Sequence, residues 1–221
     1  MAINEFTTET LRTTEPRMRS ICGGWVRALV VLSGSVALSF SLAGAAAAQA
    51  LPRVLIRTAL GDIEVEIDTI RAPITSANFL RYVDLGFYRF ARFHRTVRPD
   101  NQPDNKVKIE VVQAGLDSLR VKDFPPIKLE RTRVTKLSHK DGTISMARDG
   151  PDTATSDFFI CIGNQPQLDY GGKRNPDGQG FAAFGRVVLG MDVVKRIQAA
   201  PARGQRLPPP VQIVNIVRRT T

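Results

Sequence analysis

The sequence predicts a mainly β protein, built as an antiparallel barrel with two helices. Many short segments have the alternating or continuous apolar pattern of strands, and turns rich in Gly, Pro, Asn and Asp bound them. Only two segments have the three- and four-residue apolar spacing of an amphipathic helix. The regular βαβ alternation that builds a parallel sheet is missing from the pattern. Short strands with few helices favour an antiparallel barrel.

The first fifty of the 221 residues have the composition of a targeting segment. Residues 1–25 are polar with scattered arginines, and residues 28–48 are apolar and rich in small side chains. The segment ends in Ala48-Gln49-Ala50. A basic region, an apolar core and such a motif are the parts of a secretory signal peptide. We therefore predict that residues 1–50 are a signal peptide cleaved after Ala50.

Cleavage would leave residues 51–221 as one domain, exported to the periplasm or secreted, with no membrane contact. The style of the leader favours a bacterial protein. The alternative is an uncleaved anchor, since about twenty apolar residues can span a bilayer. Initiation at Met18 instead of Met1 would give a leader of ordinary length.

The formal charge of the chain is +10, and residues 51–221 hold 27 Lys and Arg against 18 Asp and Glu. Such an excess can attract anionic membranes, nucleic acid or acidic clients. The sequence has no dense Lys/Arg run and no stacking-aromatic motif, so we expect a basic soluble surface and no nucleic-acid partner. Cys22 lies in the leader and Cys161 in an apolar run. We therefore expect no internal disulfide and a buried Cys161 thiol.

Two strands are predicted at the start of the domain, at residues 54–58 and 63–67. In the second, apolar and acidic residues alternate strictly, which predicts one buried face and one solvent face. Glu64, Glu66 and Asp68 are therefore expected in solvent.

A helix follows, opened by Pro73 and ended by Gly86. Residues 87–97 predict a strand, a turn and a second strand. The polar residues 98–105 predict a loop, and an extended strand resumes at residues 108–113. The inward face of the helix is predicted to carry Phe79, Leu80 and Val83.

The second half of the domain begins with a loop at residues 124–126, followed by strands at 142–146 and 156–162. Residues 170–180 are rich in glycine and contain a lysine, as some phosphate-binding loops do. The Lys-Ser/Thr spacing of a P-loop is absent, which favours a flexible turn. Residues 184–188 predict another strand.

Gly190 opens the second predicted helix, and residues 208–210, three prolines, predict a stiff spacer before a closing strand at residues 211–217. The inward face of this helix is predicted to carry Val193, Val194 and Ile197.

Four motifs carry the candidate chemistry: Phe93-His94-Arg95, Val-Val-Gln-Ala-Gly at 111–115, Ser-Met-Ala-Arg at 145–148 and Asp-Phe-Phe-Ile at 157–160. If neighbouring strands bring them together, they form an apolar shelf with hydrogen-bond donors along one side. Such a shelf suits proline, which has an apolar ring, no N–H and a carbonyl on each side. In their order along residues 54–217, these motifs resemble the cyclophilin-type peptidyl-prolyl isomerases.

The resemblance implies a closed antiparallel eight-stranded β-barrel capped by two α-helices. It implies a monomeric prolyl isomerase that needs no cofactor or metal and acts on proline-containing polypeptides, here during the folding of exported proteins. The alternative is a cyclophilin-shaped module that binds proline segments or chaperones clients without turnover. Relative to the family, residues 98–105 and 170–180 are insertions.

The resemblance also implies the site residues. Arg95 and Gln113 match the catalytic positions. The implied substrate-binding residues are Phe93, Val111, Ala147, Arg148, Phe159, Leu168 and Phe181.

Several positions depart from the family pattern. Glu110 falls where the family has a pocket aromatic, unless a register shift in the first insertion turns Ile109 or Val111 inward. The other departures are Ala114 for a glycine, Asp157 for a glutamine, Gln167 for the indole of the cyclosporin-binding members and Phe181 for a histidine or tyrosine.

Other catalytic chemistry has little support in the sequence. His94 and His139 are the only histidines, too few for a convincing metal site, and His139 is expected in a polar turn. A Ser/His/Asp hydrolase would need His94 as its base, and the Gly-x-Ser-x-Gly elbow is absent.

Overall fold

The computed structural model describes residues 50–117 and 122–219. The predicted leader lies outside these residues apart from Ala50, so its cleavage and the domain boundary stay predictions. None of the helices within the described residues is long and apolar enough to cross a membrane. The strands are β1 Arg53–Thr58, β2 Gly61–Ile67, β3 Ala91–Val97, β4 Val111–Leu116, β5 Thr143–Met146, β6 Phe158–Cys161, β7 Ala182–Leu189 and β8 Arg206–Arg218, and the α-helices are α1 Pro73–Asp84, α2 Thr132–Thr135 and α3 Met191–Ala199.

The eight strands form a closed barrel in the order β1-β2-β7-β5-β6-β4-β3-β8, and every pairing is antiparallel. The C-terminal strand β8 closes it by pairing with both β1 and β3. The predicted fold class is therefore confirmed. The order also places β4, which carries Gln113, between β3 and β6, which carry Arg95 and Phe159.

The predicted helices α1 and α3 pack their apolar faces onto the barrel. Pro73 lies in the first turn of α1, where a backbone N–H has no acceptor within the helix, so its missing N–H costs no hydrogen bond. Gly86 follows the helix with φ 67°. The predicted inward residues are all buried: Phe79, Leu80 and Val83 in α1, and Val193, Val194 and Ile197 in α3. The short helix α2 was not predicted, since four residues are too few to show a helical period.

Two local predictions of secondary structure were wrong. Residues Phe87–Phe90 form a 3-10 helix rather than a strand. The prolines at 208–210 belong to β8 and are not a spacer. They are tolerated there because the β3–β8 ladder pairs Arg95 with Arg206 and Phe93 with Val211, so the prolines face an interruption of the ladder and need donate no hydrogen bond.

The acidic residues of β2 and its end are less exposed than their alternation predicted. Glu64 is 8% exposed, because Arg53 Nη1 lies 3.2 Å from its Oε1 and Nε of Arg219, just after β8, lies 3.6 Å from its Oε2. Asp68 is also buried, and it accepts hydrogen bonds from the backbone N–H and the Nε of Arg71. Ion pairing with long arginines, rather than hydration, therefore accommodates these carboxylates.

The two insertions contact each other through Gln102, which is 1% exposed. Its Nε2 donates to the carbonyls of Arg98 and Ile109, at 2.7 and 2.8 Å. Its Oε1 accepts from Ile109 N, and at 2.8 Å from Nη1 of Arg174 in the second insertion. Every polar atom of this buried side chain is satisfied, so the insertions form a connected wall rather than two free loops.

Candidate active site

A cleft of about 600 Å³ lies where β3, β4 and β6 meet the two insertions. Eight of the nine predicted site residues line it, and they come from six separate stretches of chain. These residues are Arg95, Val111, Gln113, Ala147, Arg148, Phe159, Leu168 and Phe181.

Phe93 is the exception, and its prediction as a substrate-binding residue was wrong. Its side chain is fully buried in the main core, 6.1 Å from the ring of Phe158. Phe93 and Arg95 would face the same side of a regular strand, but a bulge at His94 shifts the register between them. The bulge thereby turns Arg95 out of the barrel and into the cleft.

The floor of the cleft is a small apolar cluster separate from the main core. Phe159 is nearly buried within it, and the ring of Phe181 stands edge-on at 5.3 Å. Consecutive residues of a strand point to opposite faces, so Phe158 enters the barrel core and Phe159 the cleft. Other buried members of the floor cluster are Val97, Ile109, Val111, Cys161 and Leu168.

The structure decides which of the residues after the first insertion face the cleft. Ile109 and Val111 both line the cleft and pack in the floor cluster. The carboxylate of Glu110 accepts a 3.0 Å hydrogen bond from Gln198 Nε2 of α3. Glu110 therefore leaves the pocket, and an aliphatic pair replaces the family's aromatic.

Arg95 is held at the edge of the floor by two amide oxygens. Its Nη1 donates to Gln113 Oε1 at 3.0 Å, and its Nε and Nη2 donate to Gln205 Oε1 at 2.9 and 2.5 Å. Burial lowers the pKa of this guanidinium from its ordinary value. Because both partners are neutral, the positive charge of Arg95 stays uncompensated and available to a substrate. Gln205 was missed by the sequence analysis, since it lies outside every motif.

Asp157 orients Gln113 from the other side. Its Oδ2 accepts from Gln113 Nε2 at 3.0 Å and lies 3.7 Å from His94 Nε2. Burial, the largest influence, raises the pKa of Asp157. A Cβ on Gly115 would lie 1.7 Å from Asp157 Oδ1, so the glycine makes room for this carboxylate. Ala114, by contrast, packs in the barrel core, which explains why an alanine fits there.

A Ser–His–Asp arrangement lies beneath the floor and was missed, because His139 was wrongly placed in a polar turn. His139 is 1% exposed and stacks on Phe159 at 6.0 Å. Its Nδ1 lies 2.7 Å from Asp169 Oδ1 and its Nε2 2.9 Å from Ser145 Oγ. The hydroxyl of Ser145 is fully buried and no substrate can reach it. The triad therefore supports the ring of Phe159 and is not a hydrolytic centre.

The side chain of Arg148 makes contacts in addition to the backbone contact that the family resemblance implied. Its side chain is 1% exposed, pairs with both carboxylate oxygens of Asp177 at 2.7 and 3.0 Å, and donates to the carbonyl of Gly180. The guanidinium also lies 5.1 Å from the ring centre of Phe181. The hydrogen bonds from Arg148 lower the pKa of Asp177. Arg148 thus fastens the end of the second insertion to the cleft, so this insertion is not the free turn that was predicted.

The chain was compared with known proteins. The family model described as cyclophilin type peptidyl-prolyl cis-trans isomerase/CLD matches residues 53–218. The chain is 38% identical over 155 residues to peptidyl-prolyl cis-trans isomerase A of Dickeya dadantii, an alignment that covers 68% of this chain and 73% of that protein. It is 33% identical over 199 residues to a peptidyl-prolyl cis-trans isomerase of Acinetobacter baylyi, with 86% and 94% covered.

A crystal structure of a cyclophilin type peptidyl-prolyl cis-trans isomerase from Cryptosporidium parvum superposes with a TM-score of 0.62 and 22% identity. The superposition covers 77% of this chain and 99% of that one, and it shows the same fold. The family match spans the barrel from β1 to β8, and the sequence relatives carry the same activity in their names. The chain therefore belongs to the cyclophilin-type peptidyl-prolyl cis-trans isomerases.

Proposed function

We propose that this prolyl isomerase works through Arg95, which binds the twisted X–Pro amide at the edge of the Phe159 floor. The observation that carries the proposal is the uncompensated guanidinium beside an apolar floor: Arg95 bonds only neutral amide oxygens among the described residues. A proline ring on Phe159, walled by Leu168 and Phe181, would bring its nitrogen within reach of this cation.

The chemistry requires neither a nucleophile nor a base. Resonance gives the peptide C–N bond a rotation barrier of about 18–20 kcal/mol. Twisting the bond localises a lone pair on the proline nitrogen and makes that nitrogen a hydrogen-bond acceptor. A donor that binds the twisted amide better than the planar one lowers the barrier, and each 1.4 kcal/mol or so of this preference gives about tenfold in rate.

Gln113 positions Arg95 in this proposal. Its Oε1 accepts from Arg95 Nη1 and so holds the guanidinium plane, while Asp157 holds the far end of the same amide. Because its own side chain is fixed at both ends, the arginine donors are positioned before the substrate arrives. Preorganised donors of this kind require little reorganisation during the reaction.

We further propose that the clients are exported proteins, and that the enzyme is a bacterial, periplasmic or secreted monomer free of the membrane. Support comes from the apolar residues 28–48 followed by Ala48-Gln49-Ala50, which form a signal peptide pattern. N-terminal sequencing of the protein from its producing cell tests this. A mature chain that begins at Leu51 is expected, and a chain that still carries residues 28–48 would favour the anchor.

The test of catalysis is NMR exchange spectroscopy on a short Ala-Pro peptide, with and without the purified protein. Exchange between the cis and trans signals should accelerate at substoichiometric protein. Chemical-shift changes that report binding without faster exchange would instead support the non-catalytic module that binds proline segments.

A further inference from the structure

A second cation faces the cleft beside Arg95. Arg174 comes from the second insertion and lines the same cavity as Arg95, Phe159 and Leu168. A regular cyclophilin connection of the kind expected from the sequence would not supply it, because residue 174 lies within the inserted loop.

The position of Arg174 is fixed by the first insertion. Its Nη1 donates to Gln102 Oε1 at 2.8 Å and to the carbonyl of Val107 at 2.7 Å. Its backbone N–H donates to the carbonyl of Gln167 at 3.1 Å. Since Gln102 is itself buried and saturated, these bonds hold the guanidinium at the mouth of the cleft rather than in open solvent.

Within residues 50–117 and 122–219, neither Arg174 nor Arg95 forms an ion pair with a carboxylate. Burial lowers the pKa of Arg174, and the nearby charge of Arg95 lowers it further. Arg148, by contrast, is neutralised by Asp177. Two like charges in a partly desolvated cleft repel each other, and a ligand carboxylate would relieve that repulsion.

Asp123, Asp149 and Asp157 also line the cleft. The charges of Asp123 and Asp149 raise the pKa of Asp157, so these three carboxylates are neighbours. Ala147, the position that the family resemblance assigns to the residue before proline, donates its backbone N–H to the carbonyl of Asp157. The residue before proline is therefore placed beside Asp157, whereas Arg174 is held by Gln102, Val107 and Gln167. Arg174 is accordingly taken to face the residues that follow proline.

We propose that Arg174 makes this enzyme select prolines that are followed by a carboxylate, either an Asp or Glu side chain or the terminal carboxylate of a chain that ends in proline. This inference rests on the proposed function, because it takes the proline ring to occupy the Phe159 floor. The carboxylate would pair with Arg174 next to the reacting amide, and Arg95 would stay available to bind that amide.

The experiment compares two peptides that differ by one isosteric change, Ala-Pro-Asp and Ala-Pro-Asn, each blocked at both ends. NMR titration and exchange give affinity and kcat/KM from the same samples. We expect kcat/KM for the Asp peptide to be higher by about threefold to tenfold, the range of a partly exposed charge-assisted bond. The ratio should fall as salt is added, because added ions screen the pair.

Arg174→Gln should bring the ratio to about one. Arg186→Gln is the matched control: it removes an exposed arginine that pairs with Glu66 on the barrel surface, and the ratio should not change. Ala-Pro with a free or an amidated terminus distinguishes a terminal carboxylate from a side-chain one.

A wild-type ratio near one, or a preference that survives in Arg174→Gln, overturns the inference while the isomerase mechanism stands. If neither peptide exchanges faster, the proposed function fails. The affinity ratio from the same titration then still decides whether Arg174 recognises a carboxylate.

Discussion

Gln113 Nε2 donates a 3.0 Å hydrogen bond to Asp157 Oδ2, and this bond decides which end of the Gln113 amide faces Arg95. An ionised carboxylate can only accept, so the NH2 group turns towards Asp157 and the oxygen towards the guanidinium. Where this family commonly has a glutamine, the chain thus uses a carboxylate to orient the Gln113 amide. Gly115 provides the space that the carboxylate occupies.

Replacing Arg95 by Ala should reduce kcat and kcat/KM together, with little change in peptide affinity. The expected loss is about 10²-fold to 10³-fold, as for the removal of one preorganised donor. Arg95→Lys should rescue only part of the rate, because an ammonium lacks the planar fork that Gln113 and Gln205 hold. NMR line-shape analysis separates exchange from affinity, and circular dichroism checks folding. Near wild-type exchange by folded Arg95→Ala would refute the assignment.

Phe159→Ala should weaken peptide binding and destabilise the protein. The ring is nearly buried, stacks on His139 and meets Phe181 edge-on, so its removal opens a cavity under the substrate. Truncation of a buried Phe costs about 3–5 kcal/mol of unfolding free energy. Urea denaturation measures the stability and titration the affinity. Tyr170→Ala, which removes an exposed aromatic, should leave both close to wild type.

Asp157→Asn should stabilise the protein at neutral pH. Burial raises the pKa of Asp157 in the folded state. The stability that this group contributes is therefore complete below the ordinary Asp pKa, and it is lost as pH rises through the raised pKa of the folded state. The amide avoids that loss, and its Oδ1 can still accept from Gln113. Urea denaturation should show the difference at pH 7 shrinking to nothing below about pH 4.

Asp84→Asn is a control of opposite sign for that series. Hydrogen bonds from Arg218 lower the pKa of Asp84, so its contribution is present above the ordinary Asp pKa and lost as pH falls. This variant should therefore be less stable than wild type at pH 7. A difference for Asp157→Asn that does not change with pH would rule out desolvation as its cause.

Cyclosporin should bind weakly. Gln167 occupies the position of the indole in sensitive family members and offers neither its N–H nor its broad apolar face. Its Oε1 instead accepts a 3.0 Å hydrogen bond from the backbone of Lys173. Calorimetric titration checks the affinity, and Gln167→Trp should strengthen it. Wild-type binding as tight as that of the sensitive members would contradict the prediction.

Periodicity predicted an antiparallel barrel, and the resemblance of the motifs to the family implied most of the residues that line the cleft. The position of Phe93 could not be predicted. It depends on the bulge at His94, which arises from how β3 pairs with both β4 and β8, and no pattern within β3 reveals it. Gln205 is similar: it reaches Arg95 across 110 residues of sequence, so only the closure of the barrel brings them together.

The buried His139 was hidden for a different reason. Its neighbours Ser138 and Lys140 are polar, which is typical of a turn, and the partners that satisfy its ring come from β5 and from Asp169. A buried polar side chain is accommodated by hydrogen bonds from elsewhere in the fold, and these are invisible in a local composition. The prolines at 208–210 were mispredicted for the same reason, since their tolerance depends on the interrupted ladder opposite them.

The closed barrel has a consequence for a protein whose proposed substrates are partly folded polypeptides. A sheet that ends in an unpaired strand offers its free N–H and C=O groups to any extended polypeptide, and partly folded clients are rich in such segments. Here β8 pairs with β1 on one side and β3 on the other, so each of the eight strands has two neighbours. A catalyst built this way can hold a client by its proline without being drawn into its aggregation.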